Sequence, residues 1–280
     1  MDTKTLTETF LLHQHHLRSF LYRLLIDKQD TEDIVQETYI KAHQGIEGFK
    51  GDASLKTWIF TIAINLAKNH LHKKNRWLEN AQDYGAMLHV KSKDHWDKFH
   101  EVFYTSPDRN YEIREHISYC FNCITKTLLI EQQVCLLLKE VYEFKVDEIM
   151  KITGLTEGKV KHALADARAN MIRIFENRCA FVNKNGVCHQ CTQLKGILNP
   201  EQDAHIKANE IKLVKKGLGG NHEYLLDLRI QLTKDIDPLS ASNTVIHTYM
   251  LESCERWVEE GMEKKVLDFP SESNEEDVKV

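Results

Sequence analysis

The apolar positions of the first eighty residues recur at steps of three, four and seven, the spacing of one face of an α-helix. Leu6, Phe10, Leu17, Phe20, Leu21, Leu24 and Leu25 share such a face and predict a helix over 3–26. A second helix is expected to begin at Asp30 as its N-cap, with Asp33 near its positive end and Ile34, Val35, Thr38, Ala42 and Ile46 at helical spacing. A short loop holding Gly45, Gly48 and Gly51 leads to a third helix capped by Ser54. There Trp58, Ile59, Ile62, Ala63, Leu66, Ala67 and Leu71 make a buried stripe. Lys56, Thr61, Asn65, Lys68, Asn69, His72, Lys73 and Arg76 fall on the opposite, polar side. From Asn65 to Arg76 the chain has bases, histidines and amides but no acid, a composition suited to a nucleic-acid backbone and base edges.

Beyond Arg76 the periodicity weakens. Residues 81–107 mix charges and histidines with Tyr84, Trp96, Phe99 and Phe103, as expected of a linker that is partly packed. Periodicity returns over 108–178 with two helices, the second carrying Val134, Leu137, Leu138, Val141 and Tyr142, and then a helix-turn-helix. Ile149, Met150 and Ile152 fill its first arm, Gly154 makes the turn and Thr156 caps the second arm. On that arm Val160, Leu164, Ala167, Met171 and Ile174 face inward; Lys159, Lys161, His162, Ala165, Arg168 and Ala169 face outward. Residues 179–267 read as a helical extension broken at Gly217, Gly219, Gly220 and Pro238, and 268–280 as a disordered acidic tail. The fold class is all-α.

Composition narrows the function. At 280 residues with 42% hydrophobic positions and few prolines or glycines, the chain can hold two or three folded domains. A net charge of −5 means that DNA contact must come from local patches, with salt-sensitive affinity. The N-terminus has no secretory pattern, and no apolar run approaches the roughly twenty residues that span a bilayer, so a cytoplasmic protein without a membrane segment is expected. No catalytic constellation is visible, and the chain is not expected to be an enzyme.

The runs D-x-E-D-I-V-Q-E-T-Y-I-K-A and F-K-G-D-A-S-L-K-T-W-I-F-T-I-A-I-N-L-A-K-N-H-L resemble conserved domain 2 of the extracytoplasmic-function (group IV) sigma factors of the sigma-70 family, with order and spacing kept over more than forty positions. The resemblance implies a helical sigma domain 2 at 1–80, a linker at 81–107, and a helix-turn-helix sigma domain 4 at 108–178, with the extension added. It implies that Asp30, Glu32, Asp33, Gln36 and Glu37 dock on core RNA polymerase. An acidic and amide edge beside an apolar stripe suits such docking on physical grounds too. For the promoter −10 element it implies the loop residues Phe49, Lys50, Asp52 and Ser54, with Lys56, Asn65, Lys68, Asn69, His72, Lys73 and Arg76 on the helix that follows. For the −35 element it implies Thr156, Lys159, Lys161, His162, Ala165 and Arg168, the recognition arm lying in the major groove. The family has arginines around Ala163 and Asp166, so the −35 contact is either unusual or weak. The partners implied are core polymerase, promoter DNA and an anti-sigma factor. The competing readings are a stand-alone helix-turn-helix regulator and, further off, a C-x-x-C thiol or metal redox protein.

Seven cysteines in a reducing compartment argue for free thiols, metal ligands or redox sensing. Cys120 with Cys123 and Cys188 with Cys191 form two C-x-x-C pairs that flank the helix-turn-helix and could converge on zinc, with Cys179 and His189 as substitutes. The alternative is a helical Cys120–Cys123 pair with one thiol in the core, and no cofactor is certain. The extension, with its amphipathic helices and acidic end, is expected to dock on either domain and modulate core or promoter binding.

Overall fold

The computed structural model describes residues 2–73, 97, 109–178 and 222–239, and every regular element among them is helical. Helix α1 (Thr3–Leu25) starts where Asp2 accepts from the Thr5 amide at 2.7 Å and ends at Ile26 in the left-handed region, φ 57°. That turn allows a link of only two residues to α2 (Lys28–Gly45). The cap of α2 is Asp27, which accepts from the Asp30 amide at 2.7 Å, and not Asp30 as the sequence suggested. Both are aspartates three residues apart, and only the β-region backbone at Asp27 settles which one stands outside the helix. A 3₁₀ turn (Ile46–Gly48) leads to α3 (Leu55–Lys73), where Ser54 Oγ accepts from the Thr57 amide at 3.1 Å, as expected.

These three helices pack on one another through Leu6, Phe10, Leu17 and Leu21 of α1, Ile34, Val35 and Ala42 of α2, and Ile59, Ala63 and Ala67 of α3. The buried part of α3 is wider than its sequence stripe. Phe60 and Ile64 are fully enclosed, whereas Trp58, Ile62 and Leu66 are only half-buried. A single amphipathic face cannot explain that arrangement; a second packing partner can.

The partner is the second unit, made of α4 (Arg109–Thr125), α5 (Ile130–Leu136), α6 (Val146–Thr153) and α7 (Glu157–Arg178). A π-helical turn (Leu137–Val141) continues α5, with the Tyr142 amide donating to the Leu137 carbonyl at 3.0 Å. Gly154, at φ 71°, forms the αL turn of the helix-turn-helix. The residues after α5 meet α1 and α3 directly: the Phe144 ring lies 4.9 Å from Phe60, and the Tyr142 ring 5.4 Å from Phe20. Tyr142 and Ser19 hydroxyls share a 2.7 Å hydrogen bond, and Lys151 Nζ donates to the Asp52 carbonyl at 3.0 Å. The two units therefore share one hydrophobic core. Helix α8 (His222–Asp235) ends before Pro238, one of the expected breaks, and packs on α4 and α7; the expected break at Gly220 lies outside the described residues. The expected linker and acidic tail lie outside the described residues, apart from Asp97.

Candidate nucleic-acid and polymerase interface

Helix α2 presents Glu32, Asp33, Gln36 and Glu37 to solvent, because its Ile34, Val35 and Thr38 point into the core. Thr38 can be buried there because its hydroxyl donates to the Ile34 carbonyl at 2.6 Å. The exposed acids are held by neighbours of their own: Glu32 pairs with Arg18, and Lys41 pairs with Glu37 at 3.5 Å. Beside this edge runs a groove of about 400 Å³ between α1 and α2, lined by Phe10, Leu11, Val35 and Tyr39. Leu11 is exposed on its wall, and Leu12 and Ile40 are exposed elsewhere on the same two helices. Asp30 differs from the other four predicted docking residues. It is half-buried and contacts His70 Nε2 of α3 at 2.8 Å, tying the acidic helix to the basic one.

The loop before α3 holds Phe49 half-buried, its ring 5.1 Å from Trp58, while Lys50, Asp52 and Ser54 are exposed. Gly51 sits at φ 81°, where a side chain would strain the backbone. Between α2 and α3 opens a groove of about 680 Å³ lined by Asp30, Glu37, Trp58, Asn65, Asn69 and His70. Asn65, Asn69 and His72 are exposed along α3, and Lys68 is half-buried. These side chains follow each other at helical spacing and offer amide donors and acceptors beside an indole wall, which suits an unstacked base. Lys56 points elsewhere, its ammonium 4.2 Å from the centre of the Phe144 ring. Lys73 is the last described residue of this stretch, and Arg76 lies outside the described residues.

On α7, Thr156, Lys159, Lys161, His162 and Ala165 are exposed as predicted. Ala163 is buried, at 9% exposure, so the position where an arginine was missed faces inward and could not present one to DNA; Asp166 is exposed. Two of the three outward cations are already engaged. Lys161 pairs with Glu157 at 2.7 Å, and Arg168 is gripped by Glu140 at 3.3 Å and Asp227 at 2.7 Å. Hydrogen bonding and charge from those acids outweigh burial and push the Arg168 guanidinium pKa up. Sequence reasoning missed Asp227 and Arg23 as partners of these faces. The signal for Arg23 was a single arginine inside the apolar run of Leu21 to Leu25.

Of the four candidate zinc thiols, Cys120 is half-buried and Cys123 buried on α4, while Cys188 and Cys191, with Cys179 and His189, lie outside the described residues. No group of three metal-ligating side chains occurs among the described residues. Nor is any described helix long and apolar enough to cross a membrane.

Residues 9–77 match the sigma-70 region 2 family. The chain is 28% identical over 167 residues to the RNA polymerase sigma-H factor of Pseudomonas aeruginosa, covering 60% of this chain and 84% of that one. It is 26% identical over 174 residues to the ECF RNA polymerase sigma-E factor of Haemophilus influenzae, with 60% and 85% covered. Among solved structures it matches the sigma factor RpoE of Bartonella quintana, crystallised with the anti-sigma factor NepR, at 23% identity and TM-score 0.42, covering 62% of this chain and 98% of that one. Residues 9–77 therefore carry a sigma-70 region 2 domain, and over 60% of its length the chain is similar to an extracytoplasmic-function sigma factor.

Proposed function

We propose that this protein binds core RNA polymerase and directs promoter recognition and melting at transcription initiation, working in the cytoplasm and making or breaking no covalent bond itself. The observation that carries the proposal is the α2–α3 hairpin inside the matched region. One helix turns an acidic edge outward beside an apolar groove, and the next turns outward a polar face without acids. A helical hairpin that only bound DNA would have no use for the first surface.

In this reading Glu32, Asp33, Gln36 and Glu37 dock on the polymerase, while Asp30 orients His70 rather than reaching outward. Asn65, Lys68, Asn69 and His72 take the separated −10 strand, and the outward residues of α7 take −35 duplex. Run-off transcription from genomic DNA with reconstituted holoenzyme tests the proposal, alongside gel shifts with and without core polymerase. Discrete start sites and promoter binding only with core are expected. Sequence-specific binding by the isolated chain would instead make it a stand-alone regulator.

A further inference from the structure

Helix α8 is left without a task by the promoter reading, yet it is firmly seated. Leu226, Ile230, Leu232 and Thr233 are buried, and the Arg229 guanidinium lies 3.9 Å from the centre of the Phe175 ring of α7. Its exposed edge carries Asp227, which accepts from Arg168 Nη2 at 2.7 Å. Arg168 is the outward-facing arginine of the predicted −35 arm, so α8 occupies the charge that duplex DNA would use.

At its other end α8 reaches the first unit. The Thr233 and Ile236 carbonyls accept from Arg23 Nη2 at 2.6 and 2.5 Å, while Nη1 donates to Ser118 and Asn122 of α4 at 3.2 and 3.3 Å. The last carbonyls of a helix lack intrahelical donors and carry the negative end of its dipole, which makes them a fitting seat for a guanidinium only 2% exposed. Arg23 belongs to α1. One short helix therefore holds an arginine of each promoter-binding unit.

The junction that α8 bridges has the makings of an interface that opens. A cavity of about 380 Å³ lies where α1, α3 and the π turn meet the end of α8, with His15, Lys56, Glu143, Lys234 and Asp237 on its walls. Charged walls around a void suit a contact between two bodies better than a permanent core. The two promoter elements are separated by about 25 base pairs, or about 85 Å of duplex at about 3.4 Å per pair. A compact chain of this length has a radius of gyration of only about 19 Å. Units in direct contact cannot reach both elements at once.

We infer that α8 is a built-in clasp that holds the two units together and keeps Arg168 from DNA until core polymerase separates them. The role in transcription rests on the sigma-factor reading; the clasp itself rests on Arg23, Arg168 and α8.

Hydrogen exchange on the full chain, free and in holoenzyme, tests the release. The amides of 222–235 are expected to exchange at least tenfold faster with core bound, and protection that persists or rises would overturn the clasp. Asp227→Asn tests the occluded arginine. It should tighten binding of the free chain to duplex DNA about two- to fivefold, the scale of one partly exposed ion pair, and steepen the salt dependence. Glu131→Gln, which removes one exposed charge elsewhere, should change neither. Equal effects of the two variants, or none from Asp227→Asn, would overturn the inference. If the wild type gave no core-dependent transcript, the sigma reading would fall. Faster α8 exchange in free Asp227→Asn would still support the clasp, and unchanged exchange would overturn it.

Discussion

The two helices that are read as meeting promoter DNA, α3 and α7, look alike in sequence and differ in the fold. Both carry cations and a histidine on an outward face. On α3 the outward Asn65, Asn69 and His72 line or flank an open groove. On α7, Lys161 is paired with Glu157, and Arg168 is paired with Glu140 from the π turn and Asp227 from α8. A face drawn on a helical wheel gives formal charge only. The charge available to a phosphate also depends on acids that arrive from elsewhere in the chain, and Asp227 stands 59 residues from Arg168. The difference between α3 and α7 is therefore one of neighbours.

The sharpest way to break the comparison is to remove what joins the two regions. Phe60→Ala takes away a fully buried ring that touches both Phe20 and Phe144. It should cost about 4 kcal/mol in denaturant unfolding and loosen both helices together. A loss below about 1 kcal/mol would mean that the shared core is not a single cooperative one. Arg23→Met should cost about 3 kcal/mol, because the carbonyls of Thr233 and Ile236 and the side chains of Ser118 and Asn122 lose a buried donor. Here the loss should concentrate in α8, read as faster proteolysis after residue 221 with α1–α3 still resistant.

Charge removal sharpens the comparison further. In holoenzyme, Lys68→Ala should weaken promoter binding about tenfold at low salt and lower the salt slope by about one. Lys161→Ala, already neutralised by Glu157, should weaken it only about twofold. Filter binding at several salt concentrations decides, and equal losses would show that the Lys161–Glu157 pair is irrelevant to DNA. The smallest effect concerns His13 of α1. Burial, with Lys56 and then His16 adding repulsion, holds its imidazole below the ordinary histidine value. The folded state thus prefers the neutral ring. The stability His13 contributes is present above pH of about 6.5 and is lost as the pH falls through its lowered folded value. Acidification from pH 7 to pH 5 should shift the urea midpoint of the wild type slightly more than that of His13→Gln.

Much of this architecture could be read from the chain. The spacing of Leu6, Phe10, Leu17 and Leu21 marked α1 to within a residue, and Gly154 and Thr156 marked the helix-turn-helix. Ser54 began α3 where it was expected. The misses share one cause. Asp30 was taken for the cap of α2 because local composition cannot say which of two aspartates lies outside the helix. Phe60 and Ile64 were overlooked because one stripe was sought on a helix that is enclosed from two directions. Ala163 was counted as a missing DNA contact although its side chain faces the core.

The sequence by itself determined the helices, the acidic and basic faces of the α2–α3 hairpin, and the region 2 resemblance, since each of these depends on residues close together in the chain. Tertiary structure alone decided that the two units share a core, that Asp30 turns to His70, and that α8 gives its last carbonyls to Arg23 and Asp227 to Arg168. Those pairings join residues 40 to 213 positions apart. Helical periodicity carries no information across such separations, because it reports which way a side chain points and not what waits there.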